Sequence, residues 1–357
     1  MTTTPHRRPL TPSAASTMQT PFMACRALFR RLVVCAPLCL VLGAFPSGAA
    51  AQVAGTGSTL ARNLMAEWAV QFGAAVGGVT YVPSGSSAGV KGAREGSVDF
   101  GVTDVPLTGP ALRQAQLRQV PLAATAVAVF VNLPELAGKP LKLSGDILAE
   151  IYRGNIKQWS HSQIKAINRD LALPNSSIVP IWRNDGSGQS VVFSTYLSRQ
   201  NAAWRRAPGV EQRLSLDVGR GVSGGAALLA AVKATPGAIG YDAVGQVRGT
   251  PGLVVAELLN SAGSFAPAAD ANVLEALQAA AWSDDANSAD LDGSAGRTSY
   301  PMATLTYALL AQTPAKGRGN AAAYLAAAVS QGDAIATKNG FVPLPQNGKT
   351  SAAKALR

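Results

Sequence analysis

What this chain lacks narrows its chemistry before anything it contains. All three cysteines (Cys25, Cys35, Cys39) fall in the first 51 residues, so disulfides and thiolate metal sites are excluded from the rest. Beyond that segment there is one histidine, His161, which excludes a histidine-rich metal centre. The same 51 residues hold five arginines and no acidic residue. Setting those five aside from 31 basic residues leaves 26 against 20 acidic ones. An excess this mild, with no basic run longer than a pair, suits a small anion and argues against nucleic acid. No metal and no cofactor are expected.

The first 51 residues read as an export signal. Arg26, Arg30 and Arg31 precede the apolar run Leu32 to Phe45, and Ala49-Ala50-Ala51 supplies the small residues of a cleavage site after Ala51. Fourteen apolar positions interrupted by Pro37 are too few to cross a membrane. Met18 and Met23 are alternative starts, and Leu38 stands where a lipoprotein signal needs a small residue.

From Gln52 onward, short apolar strands alternate with helical stretches. Val53-Ala54-Gly55 ends a strand. Leu60, Leu64, Trp68 and Phe72 fall at spacing four on one helix face, and Val79 to Val82 is the next strand. A short helix over Ala88 to Glu95 and a strand over Val98 to Val102 follow. This order predicts an α/β fold with a parallel sheet flanked by helices and a ligand outside the carboxyl ends of the strands. Ser144 caps a helix to Tyr152, and Ser160 with Gln163 reads as a capping box. Two long apolar runs, Leu122 to Leu133 and Tyr300 to Leu310, carry the chain from one lobe to another and back. They place lobe I at 52–125 plus 300–357, lobe II at 126–299, and a hinge and cleft between them.

Three strand–turn–helix junctions are rich in glycine and hydroxyl residues: 55–60, 84–88 and 186–190. Each taken alone is an ordinary N-capped turn. Together they aim unpaired N–H groups and helix dipoles at an anion. Arg183 adds a planar fork of donors suited to phosphate or carboxylate, and Asp185 is placed to hold that fork. Asp104 lies at a strand end near the same turns.

Other motifs fail or compete. Gly55-Thr56-Gly57-Ser58-Thr59-Leu60 has Leu60 where a dinucleotide fingerprint needs its third glycine. The pattern G-x-S-x-G occurs at Gly85 to Gly89 and at Gly221 to Gly225. The first offers Ser87, Asp104 and His161 in hydrolase order, which makes a secreted serine hydrolase or phosphatase the enzymatic alternative.

The turns carry a resemblance. Gly55-Thr56-Gly57-Ser58-Thr59, Gly85-Ser86-Ser87-Ala88-Gly89-Val90-Lys91, Val98 to Asp104, Asn155 to Trp159, Asp185-Gly186-Ser187-Gly188 and Pro236 to Tyr241 resemble the periplasmic phosphate-binding receptors of phosphate ABC transporters. The resemblance implies a two-lobed type II periplasmic binding protein, not an enzyme. It binds inorganic phosphate with high affinity and delivers it as a monomer to an inner-membrane ABC permease. By the same resemblance Thr59 (hydroxyl and N–H), Leu60 (N–H), Ser86, Arg183, Ser187, Gly188 and Gln189 hold phosphate. Asp104 accepts its proton, and Asp185 orients Arg183. Leu60 replaces the usual Phe and Gln189 the usual Thr. The second exchange, a bulkier amide for a short hydroxyl, bears on affinity and on whether another tetrahedral oxyanion is taken. Near neutral pH phosphate keeps a proton that sulfate lacks, and a buried Asp104 carboxylate accepts that proton and repels sulfate. A site built on such a bond rejects the analogue by about 10⁴–10⁵.

Overall fold

The computed structural model describes residues 51–291, 296–313 and 318–357. The export signal expected over residues 1–51 lies outside them, Ala51 excepted. The chain opens with β1 (Val53–Gly57), α1 (Arg62–Phe72), β2 (Val79–Val82), α2 (Ser86–Glu95) and β3 (Phe100–Thr103). Strand β1 is central, parallel to β2 on one side and to β3 on the other. Leu60, Leu64 and Trp68 are buried along the face that their spacing predicts. Helix α2 starts two residues earlier than the sequence suggests. Its Gly89 lies against the strands so closely that a Cβ there would sit 2.3 Å from the Val102 carbonyl oxygen.

The first long apolar run is β4 (Leu117–Val131), buried along almost its whole length. A strand covered on both faces reads as continuous apolar sequence rather than as alternation. Further along come β5 (Val179–Arg183), α3 (Gly188–Gln200), β6 (Arg220–Val222), α4 (Gly225–Ala234) and β7 (Ala238–Ala243). The second long run is β8 (Ala303–Ala311). The strands stand in the order β2-β1-β3-β8-β4-β7-β5-β6. The three strands at each end are mutually parallel, and β8 and β4 run antiparallel to their neighbours. Strand β4 changes partner midway: Leu117 to Ala126 pair with β8, and Val127 to Val131 pair with β7. Both groups of strands belong to one compact unit of the described residues.

Local chemistry shifts some sequence expectations. Ser144 does cap its helix, its Oγ accepting from the Ile147 N–H. The capping box at Ser160 is not formed: the Ser160 hydroxyl goes to Asn175 Oδ1 at 2.7 Å, and His161 caps Ser162–Ile167 instead. His161 Nδ1 accepts the Gln163 N–H there, which fixes its imidazole at an exposed helix start. The stretch read as a surface excursion with one helix carries Asp270–Ala279 and also a small hairpin, Ala281–Ser283 with Ser288–Asp290.

Candidate anion site

The strand tips and helix starts meet where β1, β3 and β5 end. Ser58 follows β1, and its Oγ accepts the Leu60 and Ala61 N–H groups at 3.1 and 3.3 Å. Its proton is shared between the two Asp104 oxygens, at 2.7 and 2.6 Å. Asp104 also accepts from Ser86 Oγ at 3.0 Å and from Thr306 Oγ1 at 2.9 Å. The register of β8 against β4 shifts between Thr306 and Tyr307. Bulges of that kind re-aim side chains beside sites. Asp104 is 2% exposed. Burial raises its pKa above the ordinary aspartate value, against the opposing pull of the three hydroxyls and of the Arg183 charge.

Arg183 ends β5 and is wholly buried. Its Nε and Nη2 donate to the two Asp185 oxygens, each at 2.5 Å, a bidentate pair that fixes the plane of the guanidinium. Its Nη1 donates to Thr59 Oγ1 at 3.1 Å and to Gln189 Oε1 at 2.6 Å. Burial works to raise the Asp185 pKa, but the Arg183 fork and the Gly224 N–H outweigh it and hold the carboxyl below its ordinary value. Behind Arg183, the Tyr241 hydroxyl accepts the Arg183 backbone N–H at 3.1 Å and pairs with Ser190 Oγ at 2.8 Å. The Tyr241 ring stacks on Phe193 with 4.2 Å between centroids, which ties β7 to α3. Burial pushes the Tyr241 hydroxyl up to about 12, so it stays neutral.

The third junction opens α3. Ser187 caps it by accepting the Ser190 N–H at 3.3 Å, and Gly188 and Gln189 are its first two residues. N–H groups at those positions have no partner within a helix. Gly188 allows this turn to touch the second one, because a Cβ on it would lie 2.5 Å from Ser86 Oγ and 2.9 Å from Asp104 Cβ. Gln189 is 1% exposed and its Nε2 donates to Asp242 Oδ1. Asp242 also accepts the N–H of Ala243 at 2.7 Å, and its Oδ2 has no hydrogen-bond partner among the described residues. Arg62 Nη1 stands 3.9 Å from that oxygen. Burial raises the Asp242 pKa, and Arg62 is the strongest of the groups that oppose this.

Thr59, Ser86, Asp104, Asp185, Arg183, Ser187, Gly188 and Gln189 therefore gather in one place, all buried except Asp185, which is partly open. Leu60 is beside them, with its N–H already given to Ser58 Oγ. Ser58, Thr306, Asp242, Arg62 and Tyr241 belong to the same cluster and were not singled out from sequence. Two signals were available. Thr306 is a polar residue inside a buried apolar strand, where a hydroxyl needs a partner. Asp242, like Asp104, is an aspartate near a strand end. The hydrolase constellation is not assembled: Ser87 Oγ donates to Gln212 Oε1, His161 pairs with the Gln163 N–H, and Asp104 holds Ser58, Ser86 and Thr306.

Residues 44–331 match the family model of the PBP superfamily domain. The chain is 32% identical over 311 residues to the phosphate-binding protein PstS of Haemophilus influenzae, covering 86% of this chain and 92% of that one. It is 30% identical over 298 residues to the PstS of Pasteurella multocida, covering 82% and 86%. A solved phosphate-binding protein from Stenotrophomonas maltophilia shares the fold, with a TM-score of 0.62 at 20% identity over 85% of this chain and 93% of that one. The chain is thus a member of the PBP superfamily, and within it belongs to the family of PstS phosphate-binding proteins.

Proposed function

We propose that this chain is a periplasmic receptor that captures inorganic phosphate and delivers it, as a monomer, to an inner-membrane ABC permease. The supporting observation is the 3.1 Å contact of Arg183 Nη1 with Thr59 Oγ1. These residues are far apart in sequence and end different strands. Their meeting brings a buried guanidinium, the helix start at Gly188 and Gln189, and the Asp104 carboxylate together in one cluster. Phosphate is held there by Arg183, the hydroxyls of Thr59 and Ser86, Ser187, the N–H groups of Gly188 and Gln189, and the Leu60 N–H once it turns from Ser58 Oγ. Asp104 accepts a hydrogen bond from the protonated phosphate oxygen, because three hydroxyl donors leave room on a carboxylate with about four lone-pair sites. Asp185 keeps the Arg183 fork in plane.

The lobes are assigned to 52–125 plus 300–357 and to 126–299, and the change of partner along β4 between Ala126 and Val127 supports that division. Closure about this strand shields the anion from water, which strengthens each charge-assisted bond. Export follows from the signal read at residues 1–51. Binding is without turnover. Isothermal titration of the protein with phosphate, arsenate and sulfate tests the assignment. Phosphate and arsenate bind one per chain, and sulfate binds weaker by about 10⁴ or more. Equal affinity for sulfate, or hydrolysis of a phosphomonoester dependent on Ser87, contradicts it.

A further inference from the structure

Four of the five N–H donors of Arg183 are engaged inside the protein, two on Asp185, one on Thr59 and one on Gln189. The two on Asp185 orient the fork. Thr59 receives the third and keeps its own proton for a ligand. Gln189 differs from these. Its Oε1 lies 2.6 Å from Nη1, at hydrogen-bond distance in the place where an oxyanion oxygen pairs with a guanidinium. The orientation of this amide is fixed by its neighbours' chemistry. A guanidinium only donates and the Asp242 carboxylate beside Ala243 accepts, so oxygen faces Arg183 and nitrogen faces Asp242.

We infer that the Gln189 side chain, anchored by Asp242, is an internal competitor for Arg183, and that this pair sets the anion affinity of the site. The inference rests on the phosphate-receptor reading. A neutral carbonyl is a weaker partner for a guanidinium than a charged oxygen, so phosphate displaces the amide. Displacement has a cost, because Gln189 Nε2 leaves Asp242. That carboxylate is wholly buried and already has one oxygen without a hydrogen-bond partner among the described residues. The groups around Asp242 then share its charge: Arg62 of α1 at 3.9 Å, Arg183 of β5, and the Ala243 N–H on its own strand. Arg62 also donates to the Thr59 carbonyl at 3.4 Å, so the cation that inherits Asp242 is tied to the first anion-binding turn. Gly225, the first residue of α4, leaves room for this arrangement. A Cβ there would stand 2.8 Å from Asp242 Oδ2 and 3.0 Å from Arg62 Nη1.

Calorimetric titration with inorganic phosphate of the wild type, Gln189→Ala and Asp242→Asn tests this. Gln189→Ala frees one charged donor and binds phosphate roughly ten-fold more tightly, the worth of about one net hydrogen bond. Gln189→Thr, a second variant at the same position, also binds more tightly than wild type. Asp242→Asn keeps an acceptor for the amide while removing the charge, and gains less than Gln189→Ala. In the wild type, the side-chain amide NMR signal of Gln189, identified by its loss in Gln189→Ala, shifts on saturation with phosphate. Unchanged or weaker binding by both Gln189 variants overturns the inference, since the side chain then does not compete. A gain confined to Asp242→Asn also overturns it, in favour of simple charge repulsion. Failure of the wild type to bind phosphate overturns the receptor reading instead, so the two failures are told apart.

Discussion

Two buried aspartates flank Arg183, and they are stabilised in opposite ways. Asp104, at the end of β3, is surrounded by three neutral hydroxyls from three segments: Ser58, Ser86 and Thr306. Asp242, near the end of β7, has one amide, one backbone N–H and a cation at 3.9 Å, and one of its oxygens has no hydrogen-bond partner among the described residues. Burial raises both pKa values, and the Arg183 charge opposes the rise at both. The difference separates two uses of a buried carboxylate. Hydroxyls rotate, so the Asp104 shell can make space for a ligand proton without moving the backbone. The Asp242 shell has no such freedom, and a change there must move Gln189 or draw on Arg62.

The largest expected effect removes the cation that both aspartates share. Arg183→Ala takes away the anion's strongest partner, leaves Asp104 and Asp185 without their cation, and leaves Asp242 to Arg62 alone. Charge-assisted bonds are worth about 1.5–3 kcal/mol each, so phosphate affinity falls by roughly a thousand-fold or more in calorimetric titration. A loss of only a few-fold would detach Arg183 from the site. Next in size, Asp104→Asn acts on selectivity. An amide can donate to sulfate, so phosphate weakens, sulfate strengthens and the gap between them narrows by about a hundred-fold or more. The pH dependence has the same origin. As pH falls through the raised Asp104 value the carboxyl gains a proton, and discrimination against sulfate falls in the wild type but not in Asp104→Asn. The comparison breaks if Asp242→Asn alters selectivity as strongly as Asp104→Asn does.

The smallest effect concerns stability. A carboxyl whose folded pKa is raised contributes stability that is fully present below its unfolded value and is lost as pH rises through the folded value. Asp242 is such a group. Asp242→Asn therefore melts higher than wild type near neutral pH, and the advantage disappears in acid, below the ordinary aspartate range. Thermal melts across that interval check the sign. An advantage that persists in acid would point to packing rather than to charge. Asp185 runs the other way: its lowered pKa stabilises the fold above the ordinary value, and that contribution is lost as pH falls through the folded one.

Much of this site was legible because its parts are local. The Arg183–Asp185 fork lies two residues apart, and each glycine/hydroxyl turn is a contiguous motif at a strand end. The α/β class followed from periodicity, and the long apolar runs marked the two antiparallel strands, β4 and β8. What stayed hidden depends on three dimensions. Ser58 sits in a turn that by itself is an ordinary N-capped one, and its role at the site needs Asp104, 46 positions away, within reach. Thr306 reaches the site from a strand 202 positions beyond Asp104. Gln189 was visible as a bulky amide at a helix start, but its acceptor role depends on Asp242, 53 positions on. The cap at His161 was misplaced by one residue because Ser160 and His161 can both accept, and the contact with Asn175 that decides between them is non-local.

Arg183, Thr59, Ser86 and Asp104 together mark the place assigned to the anion. Anomalous X-ray scattering from crystals of the protein grown with arsenate tests it most directly. The account predicts one dominant arsenic peak within hydrogen-bonding reach of the Arg183 guanidinium and of the Thr59 and Ser86 hydroxyls, with one arsenate oxygen against Asp104. A dominant peak anywhere else, with this cluster closed on itself at saturating arsenate, would contradict it.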